Sequence, residues 1–484
     1  MMLLVPVGVP VLGAVVHLAF GWRRATTWVS AVSAGVVLAA GIALAVQVSR
    51  SGPVVGVAGL LRVDALSAFM VLVIGAVGLI ATAATPAYFR GEIEAGRATA
   101  RTAARHSVLV QLFLATMALA VLAANLGVVW VAVEATTIVT AFLVGQRRTR
   151  ASVEAAWKYV VICSAGIALA LLGAIVLNFA AAHAPGSAGL DLVTLTAHAS
   201  ELDPGVTRIA IVLLVLGFGT KAGLAPLHAW LPDAHSQAPA PVSALMSGVL
   251  LSVAFYAILR VKVISDAALG TGFARVLLTV MALASLSLAA SLLIGQRDYK
   301  RMLAYSSIEH LGLVAFAAAI GSPLALSAAL LHVLGHGLAK AVLFLGAGRV
   351  LQVTGTSQID GVRGLVARHP VLATTFGFGV LALIGLPPFS LFASELGIVR
   401  AGFTAGLGWL TSFALLLVLV IAAALITRTS RMLLGPPSTS DATAVSPIPI
   451  ALAGGLVACA VLGVAAGPLP ALLDLAIQPL AVTR

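Results

Sequence analysis

Residues 330–346 read LLHVLGHGLAKAVLFLG. The run is apolar except for His332, His336 and Lys340, which recur at i, i+4 and i+8. On an α-helix these three share one face, at steps of about 6 Å. The apolar run extends over 324–348, long enough to cross a bilayer. Imidazole accepts and releases a proton near neutral pH, and a buried lysine can lose its own. An ionisable group inside a membrane span is a functional site by default, because burying it is unfavourable. Two histidines spaced this way can also bind zinc, but no third ligand stands nearby in sequence.

Working outward, apolar runs of similar length fill the chain. They lie near 2–20, 27–48, 65–85, 107–124, 126–145, 157–181, 207–224, 241–262, 273–294, 304–320, 324–348, 370–402, 408–430 and 448–466. The fold class is therefore an all-α polytopic membrane protein of about 14 transmembrane helices. The 484 residues are 61% hydrophobic and 9% charged, against about 25% charged in a soluble domain. The net charge of +12 sits in short loops between spans, which argues against nucleic acid and for membrane topology. The first span is followed rather than preceded by Arg23 and Arg24 and is read as uncleaved. Cys163 and Cys459 each lie in an apolar run, so no disulfide framework or thiolate metal site is expected. Of the 28 Lys and Arg, 17 fall in odd-numbered loops and 8 in even-numbered loops or the C-terminus; the other 3 are lysines within spans. Odd loops are then cytoplasmic and both termini are not.

The chain has five lysines. Lys262 and Lys300 read as loop residues, whereas Lys158, Lys221 and Lys340 fall within spans, as do Glu134, Glu309 and Glu395. Such a set can be a proton path or a group of structural ion pairs, and apolar packing would hold helices equally well. Lys221–Pro241 contains Pro226, Pro232, Pro239 and Pro241, so it cannot be one regular helix. His228 and His235 in this break read as gate residues or as polar caps. The 370–402 span is broken at Pro387 and Pro388. Broken membrane helices face protein or a water-filled cavity.

The buried groups recur at one spacing: 309 − 134 = 175, 332 − 158 = 174 and 395 − 221 = 174. Five spans fill that offset, so a second copy would be inverted relative to the first, the plan of many transporters. The breaks are not copies in detail, because Lys221 precedes its prolines and Glu395 follows its own.

The stretch KAGLAPLHAWLPDAHSQAPAPVSALMSG from Lys221 resembles the signature of proton-translocating, antiporter-like membrane subunits. These occur in respiratory complex I, multisubunit cation/proton antiporters and group 4 hydrogenases. VEATT from Val133, SVEAAWKY from Ser152 and YSSIEHLG from Tyr305 (which contains Glu309 and His310) look most like the hydrogenase-4 and formate hydrogenlyase branch. The resemblance covers most of the chain. It implies two inverted five-helix repeats with helices 7 and 12 broken. The units would be 1–105, with helices 1–3; 106–271, with helices 4–8; 272–434, with helices 9–13; and 435–484, with helix 14 and a tail without a long lateral helix.

The resemblance also assigns roles. Glu134 pairs with Lys221, Lys158 follows on the next helix, His332, His336 and Lys340 connect the two halves, and Glu395 ends the row. His228, His235, Glu309 and His310 are secondary members. Some relatives carry a charged residue where this chain has Ser252, in a span read as uncharged, so water must bridge there. No nucleotide loop or cluster ligands appear, so no cofactor or metal is expected and redox chemistry would belong to partner subunits. The expected activity is proton translocation (with sodium as the other candidate ion) within a redox-driven complex in the cell's inner membrane. The alternatives are a multisubunit antiporter, an inorganic-carbon uptake complex and a structural anchor.

Overall fold

A computed structural model of the chain describes residues 2–184, 189–436, 450–465 and 467–480. After a 3₁₀ turn, α1 (Val5–Phe20) and α2 (Val29–Ser51) lead to a hairpin of β1 (Val54–Gly56) and β2 (Leu61–Val63). Then come α3 (Ala65–Glu94), α4 (Ala100–Leu122), α5 (Leu126–Val144), α6 (Arg150–Ala182) and the short α7 (Leu192–Ala197). The first break separates α8 (Pro204–Lys221) from α9 (Trp230–Gln237). Next, α10 (Ala240–Leu245) runs through a π turn (Met246–Leu250) into α11 (Leu251–Leu269). The second half holds α12 (Thr271–Ile294), α13 (Tyr299–Ile320), α14 (Pro323–Thr354) and the short α15 (Leu365–Arg368). The second break separates α16 (Pro370–Leu383) from α17 (Ser390–Thr404). The chain continues through α18 (Gly408–Leu433), α19 (Ile450–Val464) and α20 (Leu469–Ile477).

Among the described residues, twelve helices are long and apolar enough to cross a membrane, and α19 with α20, bent by 75°, makes a thirteenth. Counting α16 with α17 as one broken crossing gives fourteen. The protein is a multi-pass membrane protein. Residues 448, 449 and 466 of the last expected span lie outside the described residues.

Aspartates close several helix ends. Asp64, Asp191, Asp203 and Asp298 are N-caps of α3, α7, α8 and α13, accepting hydrogen bonds from first-turn N–H groups. In the middle of the assembly, the most apolar stretches of Ala240–Leu269 and Tyr299–Ile320 are fully buried, whereas that of Gly408–Leu433 is 22% buried. Burial thus separates an inner layer from helices whose apolar side chains face outward, such as Val276 and Trp409.

Two local features occur in both halves. Asn125 and Asp298, the caps of α5 and α13, each form an isolated antiparallel bridge to a later segment, with Asp191 and Gln358 respectively. Gly223 and Gly385, both at positive φ, sit just past the ends of α8 and α16, at a spacing of 385 − 223 = 162. Lys221 therefore ends its helix two residues before Gly223, while Glu395 lies ten residues past Gly385, inside α17. The 174-residue match of Lys221 with Glu395 is not a match of equivalent backbone positions.

Candidate proton path

The first cluster forms where α8 lies against α6. A Cβ on Gly217 would fall 2.5 Å from Ala170 N and 2.6 Å from Gly166 O, so only glycine permits this approach. It brings fully buried Lys221 to Tyr159 of α6. The ammonium donates to Thr137 Oγ1 at 2.8 Å and to the Tyr159 hydroxyl. Tyr159 in turn meets Thr140 Oγ1 at 2.5 Å and packs on Trp230 of α9, with ring centroids 5.0 Å apart. Glu134, one turn before Thr137 on α5, accepts from Ser164 Oγ at 3.3 Å, and its Oε2 has no protein partner. The expected Glu134–Lys221 pair is not a direct contact: the hydroxyls of Thr137 and Tyr159 occupy the ammonium.

Lys158 departs from expectation. It lies on the outer side of α6, its side chain 49% exposed, paired with Glu154 at 2.7 Å and Asp233 at 3.2 Å. Asp233 also pairs with Arg301 at 3.1 Å, tying α9 to both α6 and α13. The two lysines read as loop residues are buried instead. Lys300 donates to the carbonyls of Ser236 and Ala238 at 2.7 and 2.9 Å, and Lys262 pairs with Asp266 inside α11. The span containing Ser252 is therefore charged at its far end, where Arg260 pairs with Asp64 at 2.6 Å. Ser252 Oγ is buried without a protein partner.

The second cluster crosses the inner layer. His235 of α9 stacks on Phe344 of α14, with centroids 4.9 Å apart, and neither of its nitrogens has a protein partner. Lys340, 6.0 Å from the same ring, donates to Leu303 O at 2.7 Å and Ser306 Oγ at 2.6 Å. Glu309 of α13 is buried with Oε2 unpartnered, within electrostatic reach of Glu395 and Lys340. His310 packs against His336 at 4.9 Å and meets His332 through an Nδ1···Nε2 hydrogen bond of 2.9 Å. His332 Nδ1 continues to Ser394 Oγ of α17 at 3.0 Å.

Glu395 completes this end. One ligand-type atom from each of His310, His332 and Glu395 lies within 4.8 Å of the others. The facing nitrogens of the two histidines are already joined by a hydrogen bond, which is the geometry of a proton wire. A cavity of about 30 Å³ opens beside Glu395, room for a water. His228 stands apart: its Nδ1 reaches Pro226 O at 3.2 Å within its own turn.

Buried polar groups are normally satisfied, and unpartnered ones call for a specific explanation. Along this row they include the titratable side chains of Glu134, His235, Glu309, His310 and His336. Lysine, glutamate and imidazole all change charge by gaining or losing one proton, so this set can pass protons between sites bridged by hydroxyls or water. Between Tyr159 and His235, no side-chain hydrogen bond joins the two clusters among the described residues.

An all-helical, antiporter-like membrane subunit is the class that this fold and buried row define. The chain belongs to the family described as NADH:quinone oxidoreductase/Mrp antiporter, transmembrane, whose model matches residues 123–422. It is 40% identical over 343 residues to a hydrogenase-4 component F homolog of Methylacidiphilum infernorum, covering 70% of this chain and 72% of that protein. It is 33% identical to hydrogenase-4 component B of Escherichia coli over 69% of this chain, but that match spans only 50% of the relative. Among solved structures, a chain of the membrane-bound sulfane sulfur reductase, an archaeal respiratory membrane complex, superposes with a TM-score of 0.88 at 24% identity, covering 99% of this chain and 97% of the other. A chain of respiratory complex I from Thermus thermophilus gives 0.82 at 25% identity, covering 99% of both.

Proposed function

We propose that the chain is a proton-translocating membrane subunit of a redox-driven complex of the hydrogenase-4 or respiratory type, with electron transfer carried by partner subunits. The relatives' names supply the class of complex. The observation that carries the reading is the state of the buried charges. Glu134, Lys221, Glu309, Lys340 and Glu395 form no ion pair among the described residues, while the ion pairs that do exist lie elsewhere, such as Arg260–Asp64 and Arg301–Asp233. Staples between helices would be paired, because breaking a buried pair is strongly destabilising. Glu134, Lys221 and Lys340 are instead held by hydroxyls and a carbonyl, whose bonds survive a change of charge.

Protons would load near Glu134 and Lys221, cross by way of His235, Lys340, His336 and His310, and leave past His332 and Glu395. The repeat units would be 106–271 and 272–434, the first supplying the first cluster and His235, the second the rest of the second cluster. Both termini would lie outside the cytoplasm of an inner-membrane protein.

The test is proton uptake by sealed inverted vesicles carrying the native complex, started by its electron donor in sodium-free buffer. The combined Lys340→Met and His336→Ala variant should assemble, transfer electrons and lose acidification. Undiminished acidification by the assembled variant refutes the path, and a strict requirement for sodium moves the reading to a sodium carrier.

A further inference from the structure

A cavity of about 1720 Å³ opens between α1, α4, α5 and α6. The C-terminal ends of α1 and α5 and the N-terminal ends of α4 and α6 meet at its mouth. Arg23, Arg101, Arg105 and Arg148 line that mouth, all exposed and none in an ion pair among the described residues. The walls are mainly apolar, with Phe20, Ile138, Phe142 and Trp157 all open to the outside of the helix bundle, and Glu134, Thr137 and Ser164 are polar exceptions. One end of the cavity is thus strongly cationic, and its flank opens on the apolar outside of the helix bundle.

A second observation points to a ligand. His17 and His106, 1% and 0% exposed, both line this cavity. His17 Nε2 meets Ser30 Oγ at 3.1 Å. His106 Nδ1 meets Gln146 Oε1 at 2.9 Å, and its Nε2 has none. A buried ring nitrogen without a partner awaits one. A glycerol hydroxyl both donates and accepts, so it completes either tautomer.

We propose that this cavity binds one anionic, glycerol-bearing phospholipid, of the phosphatidylglycerol or cardiolipin class, with its phosphate among the four arginines and an acyl chain along the apolar wall. Basic pockets between membrane helices at the cytoplasmic face recognise such headgroups. Arginine suits the role because its planar fork binds phosphate oxygens in pairs. A neighbouring protein helix would satisfy the apolar wall, but it leaves four arginines needing acids at one spot. The proposal goes beyond proton transfer: Glu134 and Thr137 of the first cluster line the inner part of the same cavity, but none of the four arginines belongs to the buried row.

The experiment uses the native complex, purified in mild detergent and exchanged against excess phosphatidylcholine. Native mass spectrometry then counts the anionic lipid retained by this subunit. The wild-type complex should keep one anionic glycerophospholipid. Arg101→Gln with Arg105→Gln should weaken retention about thirtyfold. Ala141→Phe, which fills the wall and leaves every charge in place, should abolish it. Equal retention in both variants overturns the site, as does phosphatidylcholine held as well as the anionic lipid. A photocrosslinker at Ile138 that captures a neighbouring subunit, with no lipid, assigns the cavity to a protein partner and overturns the proposal.

Discussion

His310 Nδ1 and His332 Nε2 lie 2.9 Å apart inside the membrane core. One of the two nitrogens carries the hydrogen between them, so the rings hold opposite roles, one donor and one acceptor. His332 also meets Ser394 on α17, the helix that follows the second break. A change of protonation at either ring must therefore be answered at the other, or at Ser394.

Replacing His332 by alanine removes the middle member of this chain. Proton transfer by the assembled complex should fall at least about tenfold, the effect of ~1.4 kcal/mol on a rate-limiting step. Vesicle acidification measured beside electron transfer checks it. Normal acidification would show that protons leave the His310 region by another route.

Tyr159→Phe is the sharpest test of the first cluster. It keeps the ring against Trp230 and removes only the hydroxyl between Lys221 and Thr140. The lost buried hydrogen bonds should destabilise the subunit by about 1–3 kcal/mol and slow proton loading. If Lys221 acted alone, acidification would be unchanged in the assembled variant.

Lys221→Arg preserves charge in a side chain that does not release its proton. The variant should assemble and lose most proton translocation, again at least about tenfold. A purely electrostatic role predicts retained activity, so the rate of acidification at normal electron transfer separates the two.

Outside the membrane core, Asp64 links stability to pH. Burial raises its pKa, but the Arg260 guanidinium and the Ser67 amide outweigh this and hold it down at about 2, below the ordinary 3.8. Because the folded value is depressed, the stabilisation is complete above the unfolded pKa and is lost as pH falls through the folded one. It should be on the order of 2 kcal/mol and fade below about pH 4. Thermal unfolding in detergent as a function of pH reads it. Asp64→Asn should be less stable near neutrality and flatter toward acid.

Topology gives a further expectation. A single cysteine in the loop after α5 should react with an impermeant reagent only from the cytoplasmic side, and one near the N-terminus only from the opposite side. The reverse pattern would invert the assignment made from loop charge.

Much of the buried row was legible because a charge in an apolar run has few structural excuses. His332, His336, Lys340, Lys221 and Glu309 all came out that way. Tyr159, Thr137 and Ser394 did not, since tyrosine and hydroxyl residues are ordinary in membrane spans. Lys158 was misplaced for another reason: an apolar run does not say which face of its helix turns outward. The clue was Glu154, four residues before it, a spacing that favours an exposed i,i+4 pair. Lys262 and Lys300 were lost at helix boundaries, where sequence reading is least certain. The break registers at 162 residues, not 174, because the second break places its acid after the turn. Gly385 leaves room for that acid: a Cβ there would collide with the Glu395 carboxylate.

The distribution of lysines has a practical consequence for labelling. Lys221, Lys262, Lys300 and Lys340 are at most 6% exposed, whereas the Lys158 side chain is 49% exposed. Cys163 and Cys459 are both fully buried. An amine-reactive fluorophore in detergent should therefore mark one internal position on the folded chain, and a thiol reagent should mark none. Lys158 offers a native attachment point beside α9, and any introduced cysteine reports without background, so distances across the first break can be followed by a dye pair in the otherwise unaltered protein.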